Sequence, residues 1–491
     1  MPYQSERKKT MAIKVLMVGS EMVPYAATGG LGDVLGSLPE ACMKGAKKEF
    51  DIRVIMPLYG SIGEEYRSQM TFLGDITVPL AWRKLYCGIF KLEKNGVTVY
   101  FIDNEYYFKR PDLYGSYDDG ERFAFFGSAV LHVLPHIDFV PDILHAHDWQ
   151  SALSVIYLKT IFAENPEYSR IRTVFTIHNV AYQGKYDPAI LGDVFGLDKK
   201  YYSIVENDGC INLMKGAIAV ADKVTTVSPT YAEELKYPEF SYGMHYILNR
   251  NAYKFFGILN GIDYTYYDPS KDMSIPFRFS AKRPADKVKN KTALQEELGL
   301  TVSEDKPLIA VISRLADQKG IDLIAGIIED VLNYSDAQLV VLGKGEHRYE
   351  EFFSRLGENR PKQVKALMMY NKELSKKIYA AADIFVMPSY SEPCGLSQMI
   401  ASRYGAVPVT RETGGLYDSI KGYYEFDGEI YGNGFTFRNY NMYELKDRIF
   451  AALTLYHDPE KWKRLVKKVM NTDFSWDTSA QKYLAMYRDL C

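Results

Sequence analysis

Short apolar runs rich in β-branched residues recur along the chain, each closed by a polar or glycine-bearing loop. Uninterrupted runs of this kind mark parallel strands covered on both faces. A first series predicts strands over 13–18, 52–56, 97–101, 143–146, 173–177 and 223–227. Helical spacing over 33–43 and 121–134 falls among them, and 69–103 reads as a β-rich excursion with a turn at Lys94-Asn95-Gly96. A second series predicts strands over 308–312, 338–342, 364–369, 384–387 and 407–409. Within it a helix over 396–404 places Leu396, Met399, Ile400 and Tyr404 on nearly one face.

Strands alternating with helices argue for open parallel sheets rather than a barrel or a sandwich. The turn Leu259-Asn260-Gly261-Ile262-Asp263 and the polar, Lys-rich stretch to about Lys291 separate the two series. The expected fold class is therefore α/β, with two doubly wound, Rossmann-like domains facing across a deep interdomain cleft. Ligands in such sheets bind outside the strand carboxyl ends. The expected limits are a polar tail over 1–12, an N-terminal domain over 13–262 and a C-terminal domain over 263–475. A C-terminal helix over 476–491 carries Tyr483, Leu484 and Tyr487 on one face.

Composition narrows the class of partner. A formal net charge of -3 gives no electrostatic case for nucleic acid or an anionic membrane. The apolar run after the charged leader is short and interrupted by Lys14, too short for a signal peptide or a membrane span. Five scattered cysteines (Cys42, Cys87, Cys210, Cys394 and Cys491) show no disulfide framework or zinc spacing, which suits a reducing cytoplasm. The 39 tyrosines offer flat apolar faces with a hydroxyl, a chemistry suited to sugars as well as to packing.

The candidate chemistry lies just after predicted strands: Glu21, Asp148, His178, Ser228, Arg314, Lys319 and Glu392. Two stretches repeat one plan of strand, loop, Gly-Gly-Leu and helix: KVLMVGSEMVPYAATGGLGDV from Lys14, and the stretch through PSYSEPCGLSQMIASRYGAVPVTRETGGL from Pro388. Bare amides at a helix start beside a carboxylate make a cup for a charged ligand. Arg314 and Lys319, five residues apart across a turn, can set two cations on a diphosphate, Arg in bidentate fashion and Lys as a point charge.

The blocks GGLGDV, HAHDWQSAL, FTIHNVAYQG, TVSPTYA, LNGID, SRLADQKGID and PSYSEPCGL…TRETGGL together resemble the bacterial glycogen synthase and plant starch synthase family, glycosyltransferase family 5, from about Val15 to the C-terminus. The resemblance implies a GT-B fold and retaining transfer of glucose from ADP-glucose to the non-reducing end of an α-1,4-glucan (glycogen, starch or maltooligosaccharides). It implies no cofactor and no metal. Glu392 would bind the transferred glucose, Arg314 and Lys319 the diphosphate, Asp148 the acceptor side, and His178 the sugar. Donor contacts would come from Thr28, Gly29, Gly30, Asp33, Asn179, Asn260, Cys394, Gly395, Leu396, Thr413, Gly414 and Gly415. Tyr370 takes the position where the family stacks a ring on the base. The family's C-terminal tail crosses back to the N-terminal domain. A cytoplasmic monomer or weak homo-oligomer is expected.

Two departures stand out. The family's Lys-Thr-Gly-Gly-Leu is Ala27-Thr28-Gly29-Gly30-Leu31 here, and its Arg-Phe-Glu-Pro is Tyr390-Ser391-Glu392-Pro393. Loss of one cation beside a diphosphate costs on the order of 1–3 kcal/mol of donor binding. The alternative to an active synthase is a weakly active or non-catalytic glucan-binding or priming relative.

Overall fold

A computed structural model describes residues 12–46 and 48–491. The expected polar tail lies outside them except for its last residue. The chain divides into two compact units. The first runs to Val227 and takes in Ala232–Gly261 and Trp476–Cys491; the second is Ser228–Tyr231 with Ile262–Ser475. The division thus falls between Gly261 and Ile262, one residue before the expected limit. The short piece Ser228–Tyr231 joins the second unit, where Asp418 accepts from the amide and hydroxyl of Thr230 at 2.9 and 2.7 Å.

The first unit is built on a nine-stranded sheet. Its order is Phe255–Gly257, Lys223–Thr226, Arg172–Ile177, Ile143–His147, Ile13–Val18, Phe50–Pro57, Val97–Asp103, Arg83–Lys94 and Thr71–Leu80. The first seven strands are parallel, and the last two add an antiparallel edge that accounts for the β-rich excursion. From Ile13–Val18 the chain builds outward to Phe50–Pro57 on one side and later to Ile143–His147 on the other. The switch point of the doubly wound sheet therefore lies between Ile13–Val18 and Ile143–His147, and their carboxyl ends carry Glu21 and Asp148.

The C-terminal helix Trp476–Leu490 packs in this unit against the helix Gly30–Ala46. Its buried Tyr483, Leu484 and Tyr487 form the apolar stripe seen in the sequence, and Arg488 closes the end on Glu49 at 2.6 Å.

The second unit has a six-stranded, wholly parallel sheet: Val364–Leu367, Gln338–Leu342, Leu308–Ile312, Ile384–Met387, Val407–Arg411 and Phe435–Phe437. Its switch point lies between Leu308–Ile312 and Ile384–Met387, so the loops carrying Lys319 and Glu392 leave it side by side. Ile262 and Phe474, at the two ends of the unit, are joined by a backbone hydrogen bond of 2.8 Å. No helix among the described residues is long and apolar enough to cross a membrane.

Candidate active site

In the second unit, Lys319 and Glu392 meet directly: Lys319 Nζ lies 2.6 Å from Glu392 Oε2, with both side chains largely buried. Three local features put them there. Lys319 ends the 3-10 turn Asp317–Lys319, and Gly320 follows at φ +71°. A Cβ on Gly320 would stand 2.2 Å from the carbonyl oxygen of Pro388, so only glycine lets the two loops approach this closely. The hydroxyl of Ser389 donates to the same Glu392 oxygen at 3.0 Å.

The Glu392 carbonyl accepts from the amide of Gly415 at 3.0 Å, drawing in the start of the helix Gly414–Ser419. Gly415 is held against Cys394, whose carbonyl oxygen would be 2.0 Å from an added Cβ. Gly395 (φ +69°) and Leu396 complete this loop, Thr413 is buried beside it, and Gly414 sits at φ +43°. Cys394 is itself buried.

The turn bearing Lys319 is fixed by a web with no linear signature. Asp317 accepts from Arg348 at 2.5 Å and from the hydroxyl of Tyr349; these contacts, Tyr349's hydrogen bond the larger, hold its carboxyl below the usual range. The hydroxyl of Tyr440 donates to Asp322 at 2.5 Å and contacts the Asp317 carbonyl at 3.1 Å. Tyr440 also meets Tyr390 edge-on at 5.1 Å between ring centres, and Arg411 donates to the Tyr390 carbonyl at 2.6 Å. The replacement of Arg-Phe by Tyr390-Ser391 is thus taken up in an aromatic contact beside the Glu392 loop.

Arg314 is exposed, and among the described residues it has no ion pair. Its loop is tied to the next strand end by Leu315 N to Lys344 O at 2.9 Å and Glu346 N to Leu315 O at 2.7 Å. Tyr370 follows the strand Val364–Leu367 and is 82% exposed.

In the first unit, Glu21 governs the first glycine loop. Its carboxylate accepts from the amides of Thr28 (2.6 Å) and Gly29 (3.0 Å), from the Thr28 hydroxyl (2.8 Å) and from the Tyr114 hydroxyl (2.8 Å). The Thr28 and Gly29 amides, expected to face an anion, are therefore committed to an internal carboxylate. The helix Gly30–Ala46 begins directly after them, with Asp33 in its first turn. Ala27 is exposed, so a longer side chain there has solvent to enter.

Asp148 follows the strand Ile143–His147 in a conformation rarely open to a side chain, φ 58° and ψ 174°. Its carboxylate does not cap the helix it precedes. It accepts from the amide of His178 at 2.7 Å and from that of Asn179. Burial pushes the carboxyl up to about 7, against the opposing effect of those amides. Asn179 caps its own turn through Ala181 N at 3.0 Å. His178 Nε2 lies 3.0 Å from His147 Nδ1, and burial pushes His178 down to about 3, so the ring is neutral. Asn260 is buried, and its Oδ1 accepts no hydrogen bond from a described residue.

The structure thus brings together Lys319 with Glu392, Asp148 with His178 and Asn179, and Thr28 with Gly29. It brings neither Arg314 nor Tyr370 into hydrogen-bonding contact with the Lys319–Glu392 pair. Sequence reasoning gave no role to Ser389, Tyr114 or His147. Ser389 could have been noticed by its place after a strand, whereas Tyr114 reaches Glu21 from 93 positions away.

Because folding raises Asp148's pKa, the folded protein keeps a proton that the unfolded chain releases above 3.8. This contribution to stability is full below 3.8 and is lost as pH rises through about 7. Denaturant midpoints measured across that window are expected to fall with pH more steeply for the wild type than for Asp148→Asn.

The starch synthase catalytic domain family matches residues 14–250, and the glycosyl transferases group 1 family matches 296–469. A glycogen synthase from Clostridium beijerinckii is 46% identical over 97% of this chain and 99% of its own length. One from Bacillus cereus is 43% identical over 97% and 100%. This chain belongs to the glycogen synthase family. Among solved structures, the catalytic domain of starch synthase IV from Arabidopsis thaliana, bound to ADP and acarbose, superposes with a TM-score of 0.88 at 35% identity, covering 98% of this chain and 99% of its own. The two doubly wound units are accordingly those of the GT-B fold of this glycosyltransferase family.

Proposed function

We propose that this glycogen synthase family member is a cytoplasmic retaining glucosyltransferase. It moves glucose from ADP-glucose to the non-reducing end of an α-1,4-glucan, without a metal or cofactor. The observation that carries the reading is the Lys319–Glu392 pair at the switch point of the second unit. A departing diphosphate needs cations, and Lys319 and Arg314 are the two on the loop that leaves Leu308–Ile312. Once Lys319 turns to the diphosphate, the Glu392 carboxylate is left to balance the positive charge developing on the sugar.

In the step proposed, the bond from the anomeric carbon to the β-phosphate oxygen breaks. The bond to the acceptor hydroxyl forms on the same face, and the hydroxyl proton passes to the departing phosphate oxygen. Asp148 orients that hydroxyl and His178 contacts the glucosyl unit. Double displacement would require a second carboxylate placed across the sugar, for which the sequence offers no convincing candidate. The ADP and acarbose bound by the Arabidopsis relative support the pairing of a nucleotide donor with a glucan acceptor.

Steady-state transfer from ADP-glucose and UDP-glucose to glycogen, with Ala27→Lys alongside, tests the reading. The wild type is expected to transfer with ADP-glucose preferred. Ala27→Lys is expected to lower the donor KM by about ten-fold, the effect of one restored cation. No transfer by either protein while glycogen still binds would overturn the reading in favour of a glucan-binding relative.

A further inference from the structure

His147 closes the strand Ile143–His147, and His178 follows the neighbouring parallel strand Arg172–Ile177. The register pairs His147 with Thr176, so the two imidazoles meet where the strands end. Their centres are 5.3 Å apart, with His147 Nδ1 at 3.0 Å from His178 Nε2. His147 is fully buried, and His145 stacks on it at 4.1 Å with the planes 29° apart. His145 is itself committed through both nitrogens, to the Tyr487 hydroxyl and to Thr176 Oγ1, each at 2.7 Å. The remaining nitrogen of His147, Nε2, is buried without a hydrogen-bond partner among the described residues.

That orphan atom distinguishes two arrangements. A neutral imidazole has one donor and one acceptor nitrogen, so in each arrangement one ring donates to the other. If His178 donates from Nε2, then His147 must carry its proton on Nε2, a buried N–H with nothing to receive it. If His147 donates from Nδ1, only a lone pair is left unmatched on Nε2. Orphaned buried N–H groups are the rarer and costlier defect. Burial drives both rings far below the ordinary histidine range, which removes the doubly protonated state in which one ring would donate from both nitrogens.

We propose that His147 is a positioning residue that donates from Nδ1 and thereby fixes His178 in the tautomer carrying its proton on Nδ1. His178 then meets its ligand only as a hydrogen-bond donor. It selects an oxygen offering a lone pair, such as a sugar hydroxyl, ring or glycosidic oxygen, and cannot accept a proton from a hydroxyl through that nitrogen. The adjacent Asp148 carboxylate, 2.7 Å from the His178 amide, is left as the acceptor of the pair. The consequence for transfer rests on the proposed contact of His178 with the glucosyl unit; the tautomer does not. A ring held in the wrong tautomer loses its catalytic use, as the histidine of hydrolase triads shows.

The chain has eight histidines, so 15N-histidine NMR of the whole protein gives a short spectrum in which His178 is assigned by its loss in His178→Gln. The expected wild-type pattern is the Nδ1–H tautomer at His178. His147→Asn, whose amide donates from a similar place, is expected to keep that pattern and to stay within about three-fold of wild-type kcat. His147→Ala is expected to shift His178 toward the Nε2–H form and to lower kcat about ten-fold or more, with little change in donor KM. An Nε2–H pattern in the wild type, or an unchanged Nδ1–H pattern in His147→Ala, would overturn the inference. Undiminished transfer by His178→Ala would instead overturn the assigned role of His178 while leaving the tautomer result standing.

Discussion

Glu392→Gln and Lys319→Ala are each expected to lower kcat by about 1,000-fold, which corresponds to about 4 kcal/mol of lost transition-state stabilisation. Glu392 acts on charge that develops only as the donor bond breaks, so its loss is expected in kcat more than in donor KM, whereas Lys319 also meets the charge the diphosphate carries beforehand, so its loss is expected to raise donor KM as well. Their effects on the fold should differ. Glu392 keeps 8% of its side-chain surface exposed and Lys319 18%. Removing the lysine therefore leaves a nearly dry carboxylate with Ser389 as its one side-chain partner among the described residues, whereas removing the carboxylate leaves a longer side chain able to reach water. Lys319→Ala is expected to lose about 3 kcal/mol of stability and Glu392→Gln clearly less. Paired kinetics and denaturant titrations check both halves, and wild-type turnover in either folded variant would remove the pair from the mechanism.

Gly415→Ala is expected to lower transfer by about 100-fold, a geometric effect rather than an electrostatic one. The added carbon would sit 2.0 Å from the Cys394 carbonyl oxygen and 2.4 Å from its Cα, backbone atoms that cannot rotate aside. The clash forces the helix start away from the loop whose Glu392 carbonyl it bonds at 3.0 Å, and the Glu392 carboxylate moves with it. Gly357→Ala serves as the control, because an added Cβ there meets nothing nearer than 3.7 Å. It is expected to stay within about two-fold of the wild type. A Gly415→Ala enzyme as active as that control would show that the Glu392 loop does not depend on this approach.

What the sequence made legible follows from burial. Central parallel strands such as Leu308–Ile312 and Ile384–Met387 are covered on both faces, so each is an unbroken apolar run that reads directly. The edge strands Phe255–Gly257 and Phe435–Phe437 are three residues long and leave no periodicity to detect. The same contrast holds in the site. Polar residues that follow a strand, such as Asp148, His178, Lys319 and Glu392, were visible because a strand's carboxyl end projects its next residues to one side of the sheet. The direction of a hydrogen bond was not visible. Glu21 stood out by position, yet nothing in the sequence indicated that its carboxylate turns inward to take the Thr28 and Gly29 amides. The web of Arg348, Tyr349 and Tyr440 about the Lys319 turn joins residues separated by up to 123 positions, which only folding brings together.

Transfer from ADP-[14C]glucose to maltoheptaose, followed by digestion of the product with an exo-acting enzyme that cleaves only α-1,4 links from the non-reducing end, tests the proposed function most directly. The prediction is that label enters the chain, that all of it is released by the first exo-cleavage, and that Glu392→Gln abolishes its incorporation. Label appearing only as free glucose, or in a linkage that resists the digestion, would contradict retained transfer to the chain end.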